Sequence, residues 1–186
     1  MTEEKGNEMI HAITEIAKGH SKIYKKGLQK LSENLFQNGM SPKDAVGISD
    51  QTAERIYAQA YQLYNLGKFD DARKLFSSLV LMDFTQAKYM LGLAACYHVM
   101  KEYDQAAQNY LKCAALDPKS PIPYYHAYDC FMQMEDVSSA MVALNLTIKR
   151  CGEKVEYLEM KNKASLYLEG LKEQVKKGQI QPKKEG

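Results

Sequence analysis

Tyr57, Tyr61 and Tyr64 are spaced four and three residues apart, which puts their rings on one stripe of a helix. Phenol rings in such a row suit peptide recognition. Each offers a large contact area, few rotamers to freeze and a hydroxyl for a peptide carbonyl. Reactive chemistry has the weaker case. His126, Asp129 and Cys130 stand at i, i+3 and i+4 and would together supply a base, an orienting acid and a nucleophile. That spacing is also the ordinary one for helix neighbours, and Cys130 sits one position off the stripe set out below. His98 stands alone and reads as a hydrogen-bonding wall residue. There is no glycine-rich phosphate loop, and no acid pair in a context that would hold a metal. Cysteines stand at 96, 113, 130 and 151 without a C-x-x-C pair, and no histidine lies at zinc-ligand spacing from two of them. The expectation is a protein that binds without catalysing, with no metal and no cofactor.

The elements that would position these residues repeat. Blocks 53–86, 87–120 and 121–154 align without a gap. Ala72, Ala106 and Ala140 share one column, Phe76, Tyr110 and Leu144 another, and Phe69, Tyr103 and Val137 a third. The period and the A-x-x-x-F core resemble the tetratricopeptide signature. The predicted fold is all-α: a right-handed α-solenoid of three tetratricopeptide repeats over 53–152, with an N-terminal helical extension and a C-terminal capping helix. Expected helices are 53–66 and 70–82, 87–100 and 104–116, 122–134 and 138–150. Ser49 or Asp50 caps the first, Gly67 supplies its turn, and Cys151-Gly152 close the last. Ala60 should face Ala72, and Ala94 should face Ala106. Tyr128 stands where a third alanine is expected, so that hairpin should splay or shift. Cys113 shares its column with Leu79 and reads as a small buried hydrophobe.

The flanks differ in character. Residues 1–50 read as an N-terminal extension, unstructured over 1–8 and helical from Met9 to about Gln37, as two helices or one kinked helix because Gly19 and Gly27 interrupt, with apolar stripes at Ile10, Ile13 and Ile16 and from Ile23 to Phe36. Such a helix needs a partner surface, either the repeat stack or a second copy of the chain. Ser41-Pro42-Lys43-Asp44 reads as a cap and a single short turn. Residues 155–177 read as the helix that caps the solenoid, and 178–186 as a flexible basic tail. The 186 residues carry 25 basic and 23 acidic side chains, a net charge of +2 that makes no case for nucleic acid. The N-terminus has acids and polar residues where a signal peptide needs an apolar run, and no stretch approaches the ~18 apolar residues of a membrane span. A cytoplasmic protein with reduced thiols and no membrane insertion is expected.

In a tetratricopeptide stack the first helix of each pair lines the concave face. Its inward stripe here reads Glu54, Tyr57, Tyr61 and Tyr64 with Asn65, then Lys88, Leu91, Ala95 and His98, then Ile122, Tyr125, Asp129 and Met132. The candidate peptide-binding residues are Tyr57, Tyr61, Tyr64, Asn65, Lys88, Leu91, Ala95, His98, Tyr125, Asp129 and Met132. A packing role competes: the tyrosine stripe could be covered by the N-terminal helix.

The stretch from about Leu31 to Leu144 resembles a specific family. IYAQAYQLYNLGKFDDARKLFSSLVLMDF (56–84), GLAACY (92–97), YDQAAQNY (103–110), the run from Pro121 to Cys130 and the lead-in LSENLFQNGMSPKDAVGIS carry the likeness. It is to the class II chaperones of type III secretion systems, the LcrH/SycD/IpgC-like translocator chaperones. The resemblance implies a non-enzymatic, cytoplasmic bacterial chaperone. Its clients would be hydrophobic translocator proteins, held soluble by an extended P-x-L-x-x-P-like segment in the concave groove. Tyr57, Tyr61 and Tyr64 match the family's pocket tyrosines, with Leu91, Ala95 and His98 on the adjoining wall. The family's N-terminal helix often mediates dimers, so a homodimer is implied. Family members tend to be acidic, whereas this chain has a pI near 8.2, mostly from its tail. Two other readings compete. An adaptor for carboxylate tails needs Lys and Asn in the first groove helix and Lys or Arg in the third, yet PIPYYHAYDCFMQM contains neither cation. A scaffold would assemble only with itself, through residues 9–37.

Overall fold

The computed structural model describes residues 42–45 and 47–180, with Gln29, Lys30 and Glu33. Apart from those last three residues, the expected helix over 9–37, its dimer role and the end of the tail lie outside the described residues. Those up to Arg55, with Leu81–Asp83, belong to one unit; Ile56–Val80 and the chain from Phe84 onward belong to the other.

The first unit contains the short helix α1, Pro42–Ala45. Lys43 pairs with Asp50 and, at 3.6 Å, with Asp44. Ser49 settles which residue caps the next helix: its Oγ accepts from the Thr52 N–H at 3.2 Å. That helix, α2, runs Asp50–Asn65, three residues earlier than the apolar pattern alone suggested.

The second unit is built from helix hairpins. After α2 come α3 (Phe69–Met82), α4 (Ala87–Val99), α5 (Tyr103–Leu116), α6 (Ile122–Gln133) and α7 (Val137–Cys151). A 3-10 turn, Val155–Tyr157, precedes α8 (Leu158–Lys176), so the terminal helix starts later than expected. From α4 to α8 each helix packs on the next. This is the all-α solenoid that the repeat implied.

The three turns inside the hairpins are copies of one another. Gly67, Lys101 and Glu135 occupy the same repeat position, and all have left-handed backbones, with φ of 73°, 63° and 58°. Each donates its N–H three residues back, to Tyr64, His98 and Met132. The following residue donates five back: Lys68 to Leu63, Glu102 to Tyr97 and Asp136 to Phe131, each at 2.9 Å. These paired bonds form a Schellman motif, which satisfies carbonyls that the helix end would otherwise orphan. In the third turn Asp136 also caps α7, accepting from the Ser139 N–H at 3.0 Å.

Small residues hold the core together. Ala60, Ala72, Ala94, Ala106, Ala127 and Ala140 are fully enclosed. Ala94 and Ala106 share one cluster with Tyr110, Ala127 and Cys130. The terminal helix buries Ala164, Leu168 and Leu171 against Ala140 and Leu144, which is how it covers the end of the stack. Tyr128 does not wedge the third hairpin apart from within. It turns toward α8 and stacks on Tyr167, with ring centroids 5.7 Å apart and planes 20° apart, while its neighbour Ala127 takes the enclosed position. Cys113 is buried as its column predicted, with its thiol donating to the Ala87 carbonyl at 3.3 Å.

Left-handed backbone costs a non-glycine residue about 1–2 kcal/mol. Lys101→Gly and Glu135→Gly should therefore each stabilise the fold by about 0.5–1 kcal/mol, partly offset by a freer unfolded chain. Gly67→Ala should destabilise it by about 1 kcal/mol. Urea denaturation midpoints measure all three.

Candidate functional site

A cavity of about 400 Å³ opens on the face lined by the first helix of each hairpin. Helix α2 contributes Tyr57, Tyr61 and Tyr64, and α4 contributes Lys88, Leu91, Ala95 and His98. With Ile122 of α6, eight of the residues read as groove-facing are thus brought together. Tyr125 and Asp129 line a second cavity of about 250 Å³, which shares His98 and His126 with the first. Asn65 is exposed and lines neither of these cavities. Met132 packs against the Ala140–Leu144–Leu168 cluster beneath the terminal helix.

The tyrosines are held at graded depth. Tyr57 sits edge-on to Phe76 at 5.8 Å, and the Lys88 ammonium lies 5.0 Å from the centre of its ring. Tyr64 sits edge-on to Phe69 at 5.3 Å, and burial raises the pKa of its phenol. Tyr61 remains 55% exposed.

The second helices supply a part of the lining that the groove stripe passes over. Phe76 and Tyr110, which share a core column of the repeat, also form cavity wall. Gly92 and His126, one position beyond the expected stripe, line it too. A Cβ at Gly92 would overlap the Phe76 ring, so the glycine lets α4 lie against that aromatic floor. Only the repeat alignment could have singled out these positions, as the column after Leu91 and Tyr125.

His98 is the polar joint of the wall. Its Nδ1 lies 3.3 Å from the Tyr110 hydroxyl and its Nε2 lies 2.8 Å from Asp129 Oδ2. In the tautomer that satisfies both, Nε2–H donates to the carboxylate and Nδ1 accepts from the phenol. His126 stacks on the Tyr110 ring, centroids 5.3 Å apart and planes 20° apart. Burial lowers the pKa of His126 and nearby His98 lowers it further, while Asp129 opposes the shift.

This arrangement answers the question raised by His126, Asp129 and Cys130. The carboxylate engages His98 on another helix. Cys130 is fully buried, and that burial pushes its thiol up to about 12, far from a usable thiolate. Burial likewise pushes Cys96 and Cys113 up to about 11. All four cysteines are free and buried.

Gly92→Ala should cost about 1–3 kcal/mol through overpacking and tilt Phe76 into the cavity, seen as a lower melting temperature with weaker ligand capture. A second expectation concerns pH. Below about 8.5 the core thiols are protonated both folded and unfolded. Above it the unfolded chain sheds those protons while the folded chain keeps them, so stability falls as pH rises toward the folded values of about 11 and about 12. Denaturation midpoints should drop between pH 8 and pH 10, and Cys130→Ala should make that decline shallower.

Known proteins share this architecture. The tetratricopeptide repeat family matches residues 53–84. Low calcium response locus protein H of Yersinia pestis is 34% identical over 144 residues, covering 77% of this chain and 86% of the relative. Chaperone protein SicA of Salmonella typhimurium is 30% identical over 139 residues, covering 75% of this chain and 82% of the relative. The type III secretion chaperone SycD of Yersinia enterocolitica, solved with a peptide of the translocator YopD, has a TM-score of 0.65. It is 34% identical, and the match covers 68% of this chain and 96% of that one. SycD has also been solved as an alternative dimer, with a TM-score of 0.64 and the same identity and coverage. With the repeat, the aromatic groove and these likenesses in agreement, the chain belongs to the class II chaperones of type III secretion, a family of tetratricopeptide proteins that bind their clients without catalysis.

Proposed function

We propose that the chain holds an extended segment of a hydrophobic type III translocator in the aromatic cavity and so keeps that client soluble and competent for secretion. The observation that carries this reading is the open cavity of about 400 Å³ walled by Tyr57, Tyr61, Tyr64 and Leu91. An extended P-x-L-x-x-P-like segment would seat its apolar side chains there, with Ala95 leaving room for them and His98 and Lys88 at the polar margin. Three buried anchors at ~1.5–3 kcal/mol each contribute roughly 5–9 kcal/mol. Ordering the peptide and losing rigid-body freedom subtract from that, so a short segment binds weakly and contacts elsewhere on the client raise the affinity. Pairing of two copies through the N-terminal helix, in the bacterial cytoplasm before export, completes the proposal.

The test is co-purification of translocator with the chaperone. Tyr57→Ala combined with Tyr64→Ala should abolish it while the helical circular dichroism signal persists. Tyr61→Ala removes the exposed ring with little effect on folding and should weaken capture by about ten- to a hundredfold, the equivalent of one lost anchor. Unchanged capture by both variants would refute the groove.

A further inference from the structure

The second cavity differs in chemistry from the first. Its volume is about 250 Å³, and its walls are Tyr125, Tyr128, Tyr167, Asp129 and the two histidines. Tyr128 and Tyr167 stack, and Tyr125 leans on Tyr128 with centroids 6.4 Å apart and planes 46° apart. The three phenols come from two helices, α6 and α8, so they meet only in the folded stack. The Asp129 side chain is 49% exposed and uses one oxygen for His98. A carboxylate has about four lone-pair sites, so it can accept further hydrogen bonds. The nearby cation, Lys163, which senses Tyr125 and Tyr167, is paired with Glu159 at 2.6 Å. A cation beside a carboxylate and over the face of a neighbouring ring gains from both, because the ring quadrupole and the negative charge act in the same direction.

We propose that this compartment is a cation subsite that takes a lysine or arginine side chain flanking the apolar segment of the client. The inference rests on the groove reading above and names what the groove selects beside its apolar anchors. Adjacency supports it: His98 and His126 border both cavities, so the second lies beside the first, within reach of a residue flanking the apolar segment. His98 then has a positioning role. Its hydrogen bond ties Asp129, a wall residue of the second cavity, to a helix 31 residues away in sequence.

Titration calorimetry on the full chain tests this with synthetic peptides. All share one P-x-L-x-x-P-like apolar segment and differ at a single flanking residue, placed at either end: Arg, Lys, neutral citrulline or Glu. At one of the two placements the Arg and Lys peptides should bind about tenfold more tightly than the citrulline peptide, with Glu weakest. In Asp129→Asn and in Tyr167→Leu that advantage should shrink to within about twofold, whereas Glu169→Gln, exposed elsewhere on α8, should preserve it. Equal affinity of Arg and citrulline peptides at both placements overturns the cation subsite and leaves the apolar groove standing. So does an advantage that survives Asp129→Asn. Failure of every peptide to bind overturns the groove reading and this inference together.

Discussion

Two helices can approach closely only where side chains leave room, and that constraint governs this molecule. Ala94, Ala106 and Ala127 are enclosed within one cluster, and Ala140 meets Ala164 in the next. With small residues spent on those contacts, the larger ones must occupy the spaces between hairpins or the open face. Phe76 and Leu144 take the first role. The tyrosines of α2 take the second, and the cavity is what remains between them and α4. The same economy explains Gly92, where even a methyl group would collide with Phe76.

An unpaired buried donor or acceptor costs about 1–3 kcal/mol, which favours partnering the polar groups near such a core. Tyr110 shows how that preference shapes the groove. Its ring is 2% exposed, and its hydroxyl meets His98 at the cavity wall. His98 in turn meets Asp129, so the hydrogen bonds run from the core of one hairpin to the first helix of the next. The wall between the apolar and aromatic-acidic compartments is therefore held by the buried interior.

The hairpin turns obey a different rule, imposed by the backbone. A Schellman ending needs a left-handed residue, and the chain supplies Gly67 once but Lys101 and Glu135 in the other two repeats. Packing on either side of those turns is strong enough to impose the conformation on residues that disfavour it. A sequence reading sees the glycine and has no signal for its two counterparts beyond the repeat register.

What could be read from the residues alone was whatever depends on local backbone geometry or on repetition. The 53–86, 87–120 and 121–154 register, the turn at Gly67, the end at Gly152 and the stripe of Tyr57, Tyr61 and Tyr64 all follow from helix periodicity and turn chemistry. The family followed too, since the quoted stretches include groove residues as well as core ones. The lining from Phe76 and Tyr110, the bond from His98 to Asp129, the departure of Met132 into the terminal cluster and the turning of Tyr128 onto Tyr167 were not legible. Each depends on how far apart separate helices lie and how they rotate about their own axes. Those quantities come from the packing of side chains across hairpins, and the period of a single helix carries no record of them.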